Sequence, residues 1–160
     1  MTIALIDYGA GNLHSVHNAL RKAGAQDVAI TADADLVARA DRIVLPGVGA
    51  FRACRDALVA IPGTVRLVER ADPAIKIPHM GWNDVTLTGA AGLLEPGEAY
   101  FLHSYHFEAA DPAHVAAVTD HGGPLVAAVA RDTIIGCQFH PEKSQRYGLS
   151  FLARFLDWRP

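Results

Sequence analysis

An open, mostly parallel α/β sheet with helices on both faces and an added antiparallel part is the fold class that the sequence predicts. Two observations lead to it. In the first 45 residues, short apolar segments alternate with helical patterns, which is typical of parallel βαβ units. In the second half, short apolar segments separated by Pro, Gly, Asp and His follow one another, which is typical of antiparallel strands. A chain of 160 residues is long enough for a single domain, 1–160.

The first half opens with a strand–loop–helix unit. An apolar run over 3–6 ends at Asp7 and is followed by a turn that contains Gly9 and Gly11. Apolar residues then recur at helical spacing over 13–20, and a lysine and a glycine at 22 and 24 are typical of a helix end. The pattern continues with a strand over 28–30, a helix over 33–40 and a strand over 42–45 that runs into the loop 46–50.

The second half reads as a series of short strands and a closing helix. A tight turn at Arg131-Asp132 joins the last two strands, and four apolar residues on one face predict a helix over 148–158. The predicted strands are 65–69, 75–77, 97–102, 115–119, 125–130 and 133–139.

Composition excludes several classes of function. The net charge is −3 and the basic residues are scattered, so we expect neither nucleic acid nor a membrane as partner. The first apolar run meets an aspartate after four residues, which predicts a buried strand of a cytoplasmic protein rather than a signal peptide. The two cysteines have no metal-binding spacing, and no metal or organic cofactor is predicted.

The segment 136–145, GCQFHPEKSQ, carries the strongest chemical signal. His140 and Glu142 are two residues apart, and such residues share a face when the backbone is extended. A carboxylate beside an imidazole fixes the tautomer of the ring, which can then act as a base through its other nitrogen. This is the base-and-orienter half of a nucleophilic triad, and its third member should be a Ser or Cys on a sharp strand-to-helix turn.

Other motifs are ambiguous when each is taken alone. Gly9 and Gly11 could hold a phosphate at a helix N-terminus or serve only a tight turn, since the third glycine of a dinucleotide fingerprint is missing. The loop 46–50 could be a structural turn or could present backbone N–H groups to an oxyanion. His79 and His103 read as ordinary loop or core histidines.

Five ordered segments together resemble one family, the glutamine amidotransferase subunit of imidazole glycerol phosphate synthase, a class-I, triad-type amidotransferase with a flavodoxin-like sheet. From the first segment to the last, they extend over almost the whole chain. The segments are 7–13 (DYGAGNL), 45–51 (LPGVGAF), 78–83 (PHMGWN), 100–105 (YFLHSY) and 138–145 (QFHPEKSQ).

The resemblance implies a glutaminase of histidine biosynthesis. It would hydrolyse glutamine to glutamate and ammonia, and pass the ammonia to a (β/α)8-barrel cyclase subunit in a heterodimer. The cyclase would then form imidazole glycerol phosphate and an aminoimidazole carboxamide ribotide. The resemblance assigns the base to His140 and its orienter to Glu142, the oxyanion loop to Gly47, Val48 and Gly49, the glutamine contacts to Ser104 and Tyr105, and the cyclase interface to Asn12, Trp82, Tyr100 and Lys143.

One departure from the family pattern is large. The family carries its nucleophile in a Gly-x-Cys-x-Gly elbow, but here residues 60–64 run straight across the place where that elbow belongs. Three explanations are open: a block omitted from this sequence, a true internal deletion, or a shortened homologue with a new role. An internal deletion would remove a central strand of the sheet and its flanking helices. The motif Ile61-Pro62-Gly63 could have stood at both ends of the lost block.

Neither cysteine is predicted to replace the nucleophile. Cys54 lies in a helical stretch, 51–59, without flanking glycines, and Cys137 is expected to point away from His140 into the core. The rival hypothesis is therefore a catalytically inactive docking subunit that binds the cyclase. A weaker rival is a flavodoxin-like phosphate binder that uses Gly9 and Gly11.

Overall fold

The computed structural model describes residues 1–9, 11–47, 61–69, 74–89 and 93–159. The strands of these parts form a three-stranded sheet, a five-stranded sheet and a two-stranded sheet. The strands are β1 (Thr2–Ile6), β2 (Asp27–Thr31), β3 (Arg42–Val44), β4 (Gly63–Leu67), β5 (His79–Leu87), β6 (Gly97–His103), β7 (Tyr105–Ala109), β8 (Val115–Asp120), β9 (Pro124–Arg131) and β10 (Ile134–Cys137). The helices are α1 (Leu13–Lys22), α2 (Ala34–Arg39) and α3 (Gln145–Asp157), with a short 3-10 turn at Pro112–His114.

The three-stranded sheet is parallel and has the order β2-β1-β3. Its central strand β1 is apolar and buried, as a strand covered on both faces must be. Asn12 caps α1 by accepting a hydrogen bond from the Ser15 amide, and Asp33 caps α2 in the same way. Gly9 has a φ of 80° and its amide donates to Asp7 Oδ1, which favours the turn interpretation of this loop.

The remaining strands pair antiparallel. The five-stranded sheet has the order β10-β9-β8-β5-β6, and β4 pairs with β7. The last hairpin turns at Asp132, whose φ is 50°, and Arg131 already pairs with Ile134. The predicted α/β class, with a parallel part and an antiparallel part, is thus confirmed.

One core joins the two parts of the fold. It contains Ile3 and Leu20 from the parallel part and Phe101 and Phe151 from the antiparallel part and α3. Helix α3 packs against α1 and β6, so it bridges the parallel strands and the five-stranded sheet. Burial of this shared apolar surface is the main term that holds the two parts together.

Two strands were not predicted, and one predicted strand is absent. Strands β5 and β7 lie in segments that contain histidines, Gly81 and Asn83, and no element was predicted for them. The predicted strand 75–77 was wrong, because these residues lie outside every strand of the described parts. The carbonyl group of Lys76 accepts a hydrogen bond from the His121 ring, and Pro78 has no N–H to give to a ladder.

Several element boundaries also differ from prediction. Strand β4 begins at Gly63 rather than residue 65, and α3 begins at Gln145 rather than residue 148. The first turn of α3 is polar, so hydrophobic periodicity did not reveal it. The predicted helix 51–59 with Cys54 lies outside the described residues. None of the described helices is long and apolar enough to cross a membrane.

Phe101 tests the shared core. The ring is fully buried and contacts His79 and Phe139, whereas the neighbouring Leu102 is 39% exposed. We expect Phe101→Ala to lower the free energy of unfolding by about 3–5 kcal/mol. Leu102→Ala is the control and should cost about 0.5 kcal/mol. Urea unfolding followed by circular dichroism measures both, and equal effects would contradict the described burial.

Candidate active site

The structure brings His140 and Glu142 together, as predicted, but through a turn over 141–143 rather than through the extended backbone that was expected. His140 Nδ1 lies 2.9 Å from Glu142 Oε1, and the two side chains are 17% and 9% exposed. Because a carboxylate can only accept, the ring donates through Nδ1. Nε2 is then the nitrogen that can take a proton from a reacting group.

A small network fixes the turn that carries this pair. The His140 amide donates to the Tyr100 carbonyl at 2.8 Å, so the turn is attached to β6. Ser144 Oγ donates to the His140 carbonyl at 2.7 Å and accepts from the Tyr100 amide at 2.9 Å. Ser144 is 1% exposed, and its single hydroxyl satisfies two buried backbone groups. The sequence contained this serine in the motif but gave no reason to assign it this role.

Helix α3 supports the same turn from the other side. A Cβ atom added to Gly148 would lie 1.9 Å from the Pro141 carbonyl oxygen. The helix backbone therefore approaches the His-Pro-Glu turn more closely than any side chain would allow. This is a positional requirement that sequence patterns did not reveal.

Glu142 is held in its ionised form. Burial by itself would raise the pKa of this carboxyl group, but the hydrogen bond from His140, a backbone hydrogen bond and the nearby Lys143 outweigh it and lower the pKa. An ionised carboxylate at Nδ1 stabilises a positive charge on the imidazole, which is what a base requires when it accepts a proton.

The described cysteine does not complete a triad. Cys137 is partly buried against the core, as predicted, and burial followed by the charge of Glu142 raises the pKa of its thiol to about 12. A thiol with such a pKa is not a thiolate at neutral pH. Cys54 lies outside the described residues. The described residues also contain no group of three or more His, Cys, Asp or Glu that could hold a metal ion.

The other predicted site residues fall at two strand ends. Ser104 and Tyr105 form the corner between β6 and β7, where the Ser104 carbonyl accepts from the Val68 amide at 2.9 Å. This corner directly follows His103, whose pKa is lowered in part by His140, so the corner lies on the side of β6 that is near the candidate base. Gly47 is exposed just after β3, and the Tyr8 hydroxyl donates to the preceding Pro46 carbonyl. Val48 and Gly49 lie outside the described residues.

Three of the predicted interface residues share one exposed face, which we call the docking face. Trp82 on β5 is paired with Tyr100 on β6, and their rings meet edge to face. Lys143 Nζ lies 5.8 Å from the centre of the Tyr100 ring. Met80 and Leu102, 65% and 39% exposed, are the next cross-strand pair on the same face. The docking face is Met80, Trp82, Tyr100, Leu102 and Lys143.

The sequence analysis missed Met80 because β5 was not predicted as a strand, and it missed Leu102 although the strand 97–102 was predicted. In a strand, residues 80 and 82 lie on the same face, and that alternation is the signal that would have found them. Asn12, the fourth predicted interface residue, is exposed at the start of α1. Among the described residues, no hydrogen bond or ring contact joins Asn12 to the docking face.

Comparison with known proteins identifies relatives over the whole chain. The family model "Glutamine amidotransferase class-I" matches residues 63–157. The imidazole glycerol phosphate synthase subunit HisH of Zymomonas mobilis is 47% identical, and the alignment covers 99% of this chain and 97% of that protein. The HisH subunit of Azospirillum brasilense is 46% identical, with 99% of this chain and 98% of that protein covered. The structure of PurLQS from Thermotoga maritima is similar in fold, with a TM-score of 0.73 at 16% identity over 98% of this chain and 97% of that one.

The lengths of these alignments bear on the missing elbow. The alignment with the Zymomonas protein runs over 206 positions although this chain has 160 residues, so at least 46 positions of that protein have no counterpart here. Because nearly all of both chains is covered, the unmatched positions lie inside the alignment rather than at its ends. The family model begins to match at residue 63, within residues 60–64, where the elbow is missing; we call this place the predicted join.

Gly148 tests the support of the His-Pro-Glu turn. Helix propensity alone predicts that Gly148→Ala stabilises the protein by about 1 kcal/mol. We expect instead a loss of about 1–3 kcal/mol, because the new methyl group is forced against Pro141. The NMR signal of the proton between His140 and Glu142 should weaken as well.

Ser150→Ala, two residues along the same helix, is the matched control for Gly148→Ala. It changes helix propensity without placing a methyl group against the turn, and it should leave that NMR signal in place. If Gly148→Ala stabilised the protein, as propensity predicts, the close approach of α3 to Pro141 would not constrain the site.

Proposed function

Because this chain belongs to the class-I glutamine amidotransferases and, within them, to the HisH subunits of imidazole glycerol phosphate synthase, we propose that His140 and Glu142 are the base and its orienter in glutamine hydrolysis. The observation that carries this assignment is the 2.9 Å contact between His140 Nδ1 and Glu142 Oε1. A single amidotransferase domain over 1–160 is part of the same proposal, and the core that joins both parts of the fold supports it.

The chemistry of amide hydrolysis explains why this pair is needed. A cysteine thiolate attacks the side-chain carbonyl carbon of glutamine, and a base takes the thiol proton and returns it to the departing ammonia. His140 can do both through Nε2, since Glu142 occupies Nδ1. The C–N bond breaks as ammonia leaves, and water then opens the thioester while His140 accepts its proton. Glutamate is the second product.

The remaining site roles follow from position. Gly47, with Val48 and Gly49, is proposed to donate backbone N–H groups to the oxyanion of the tetrahedral intermediate. The exposed position of Gly47 directly after β3 supports this role. Ser104 and Tyr105 are proposed to hold glutamine, and their position directly after His103, on whose pKa His140 acts, supports that placement.

The covalent step needs a cysteine that these 160 residues do not place in an elbow. Neither Cys54 nor Cys137 has glycines two residues before and after it, and the Cys137 thiol has a pKa of about 12. We assign the nucleophile to a block near residues 60–64 that the HisH relatives have and this chain lacks. The 160-residue chain is then a docking subunit without glutaminase activity, and a longer form with the block is the active enzyme.

The proposed partner is the cyclase subunit of the synthase, a (β/α)8 barrel that would use the ammonia to form imidazole glycerol phosphate. The HisH relatives are named as subunits of a synthase, which implies a partner. The docking face supports the position of the interface, because Trp, Tyr and Met side chains are enriched at interfaces and Trp82 and Met80 are exposed here beside Tyr100.

Restoring the block tests the glutaminase assignment. The positions of the Zymomonas protein that have no counterpart here are inserted at the join near residues 60–64, and glutamate release is measured with the cyclase present. We expect release from the restored chain and none from the 160-residue chain. His140→Asn or Glu142→Gln in the restored chain should lower kcat by about 10²- to 10⁴-fold.

The control for these variants is His114→Asn, since His114 lies in the 3-10 turn and plays no part in the proposed site. Its kcat should not change. The intact mass of the protein made from its native gene adds a second check, because 17.1 kDa corresponds to these residues alone. Glutamate release by the 160-residue chain, or a restored chain that folds and binds the cyclase without hydrolysing glutamine, would contradict the assignment.

Trp82 tests the docking face. Trp82→Ala should weaken binding of the 160-residue chain to the cyclase by about 2 kcal/mol or more, as is usual for a tryptophan at the centre of an interface. Isothermal titration calorimetry measures the change. Ile134→Ala is the control, because Ile134 is similarly exposed but lies on the far strand β10. Equal affinities of Trp82→Ala and the parent chain would place the interface elsewhere.

A further inference from the structure

A continuous chain of hydrogen-bonded side chains runs beneath the docking face, from Asn83 to Tyr105. Asn83 Nδ2 lies 3.1 Å from His79 Nε2, and His79 Nδ1 lies 3.0 Å from His103 Nε2. His103 Nδ1 lies 3.0 Å from the carbonyl oxygen of Tyr105. The chain crosses from β5 to β6 at the paired residues His79 and His103, and it ends at the corner that contains Ser104.

One end of the chain fixes the tautomer of His79. Asn83 Oδ1 accepts from the Asp84 amide at 2.8 Å, and Asn83 Nδ2 donates to the Asp120 carbonyl at 2.7 Å. The amide of Asn83 is therefore oriented with its NH2 group toward His79. Because that group can only donate, His79 Nε2 must accept.

The other end fixes the tautomer of His103. The Tyr105 carbonyl can only accept, so His103 Nδ1 carries a proton and its Nε2 is a lone-pair acceptor. His79 Nδ1 must then donate to it. Both ends give the same solution, in which each ring is neutral and carries its proton on Nδ1. A second proton on either ring would bring two donors face to face.

The surroundings also keep both rings neutral. His79 is 3% exposed and is stacked between Phe101 and His121, with ring centres 4.7 Å and 4.1 Å away. Burial is the largest cause that lowers the pKa of each ring to about 4. The other titratable groups that face the pair are histidines: His121 acts on both rings, and His106 and His140 act on His103. The hydrogen bond to the Tyr105 carbonyl raises the pKa of His103, but by less than burial lowers it.

We propose that His79 and His103 are positioning residues, which hold the Ser104–Tyr105 corner in place through the Tyr105 carbonyl. The inference rests on the proposed function, in which this corner binds glutamine. The same chain begins at Asn83, next to Trp82 of the docking face, so it connects the strand that contacts the partner with the corner that contacts the substrate.

The pair also gives the corner a defined response to pH. The folded-state pKa of about 4 lies below the usual value of 6.5, so the unfolded state binds more protons between these two values. The stability of the fold therefore falls as the pH decreases from about 6.5 to about 4. The pKa of Glu142 is lowered from its usual value of 4.5. Its contribution to the stability of the fold is therefore lost only when the pH falls below 4.5.

Nitrogen-15 NMR of the 160-residue chain tests the proposed tautomers directly. At pH 7 both rings should show a protonated Nδ1 and an unprotonated Nε2, and both should stay neutral down to about pH 5. A protonated Nε2 on either ring, or titration of either ring near 6.5, would overturn the proposal. This readout does not depend on glutamine or on the cyclase.

Two substitutions at one position separate positioning from bulk stability. His103→Asn places an NH2 group near the position of Nδ1 and can still donate to Tyr105. His103→Gln places its amide near the position of Nε2, where the oxygen can accept from His79, and leaves the Tyr105 carbonyl without this donor. The Val68 amide, which is bonded to the Ser104 carbonyl, reports on the corner. We expect its hydrogen exchange to become about tenfold faster in His103→Gln and to change little in His103→Asn.

The Asp7 amide, bonded to the Thr31 carbonyl in the parallel sheet, is the internal control for global opening. Its exchange should be equal in both variants. Equal exchange of the Val68 amide in both variants would overturn the proposal.

Glutamine hydrolysis by the restored chain gives a second readout. The KM for glutamine should rise about tenfold in His103→Gln with kcat little changed, and His103→Asn should stay near the parent value. If the parent restored chain does not hydrolyse glutamine, the proposed function fails while the tautomers and the Val68 amide still decide this inference. If the parent is active and KM is equal in both variants, the positioning role fails and the proposed function stands.

Discussion

The antiparallel register between β5 and β6 is the constraint on which the site depends. With His79 opposite His103, the exposed residues Met80 and Trp82 face one side of the sheet, and the two histidines face the other. Side chains alternate along a strand, so a slip of one residue would exchange the two sets. Burial of Phe101 in the core makes such a slip costly. The docking face and the histidine chain are therefore two results of one pairing.

Strand β6 also positions the candidate catalytic pair. The His140 amide and the Ser144 hydroxyl both bond to the backbone of Tyr100, whose ring lies on the docking face. The turn thus takes its position from β6 and from the close approach of α3 at Gly148. These supports all come from residues after the predicted join. This explains why the geometry of His140 and Glu142 is complete in a chain that lacks a nucleophilic elbow.

Sequence patterns predicted the α/β class and the contact between His140 and Glu142, but they did not predict every strand around that pair. The spacing of His140 and Glu142 determines their contact almost by itself, because both residues lie in one short turn. The parallel strands and α1 were also predictable, since their apolar spacing and caps are local signals. Strand β5 was not, because Gly81 and Asn83 disfavour a strand locally and only pairing with β6 and β8 compensates for them. The roles of Ser144 and Gly148 depend on contacts between distant segments, which no local pattern encodes.

The edge of the parallel sheet at β3 has a consequence of a different kind. Among the described residues β3 pairs with β1 alone, and Ile43 in its centre is 51% exposed. An open strand with an exposed β-branched side chain is a template on which another chain can add a strand. The cost of the short form would then fall on solubility during synthesis, when many copies are present at once, and a cell that makes it would depend on chaperones to keep these edges apart.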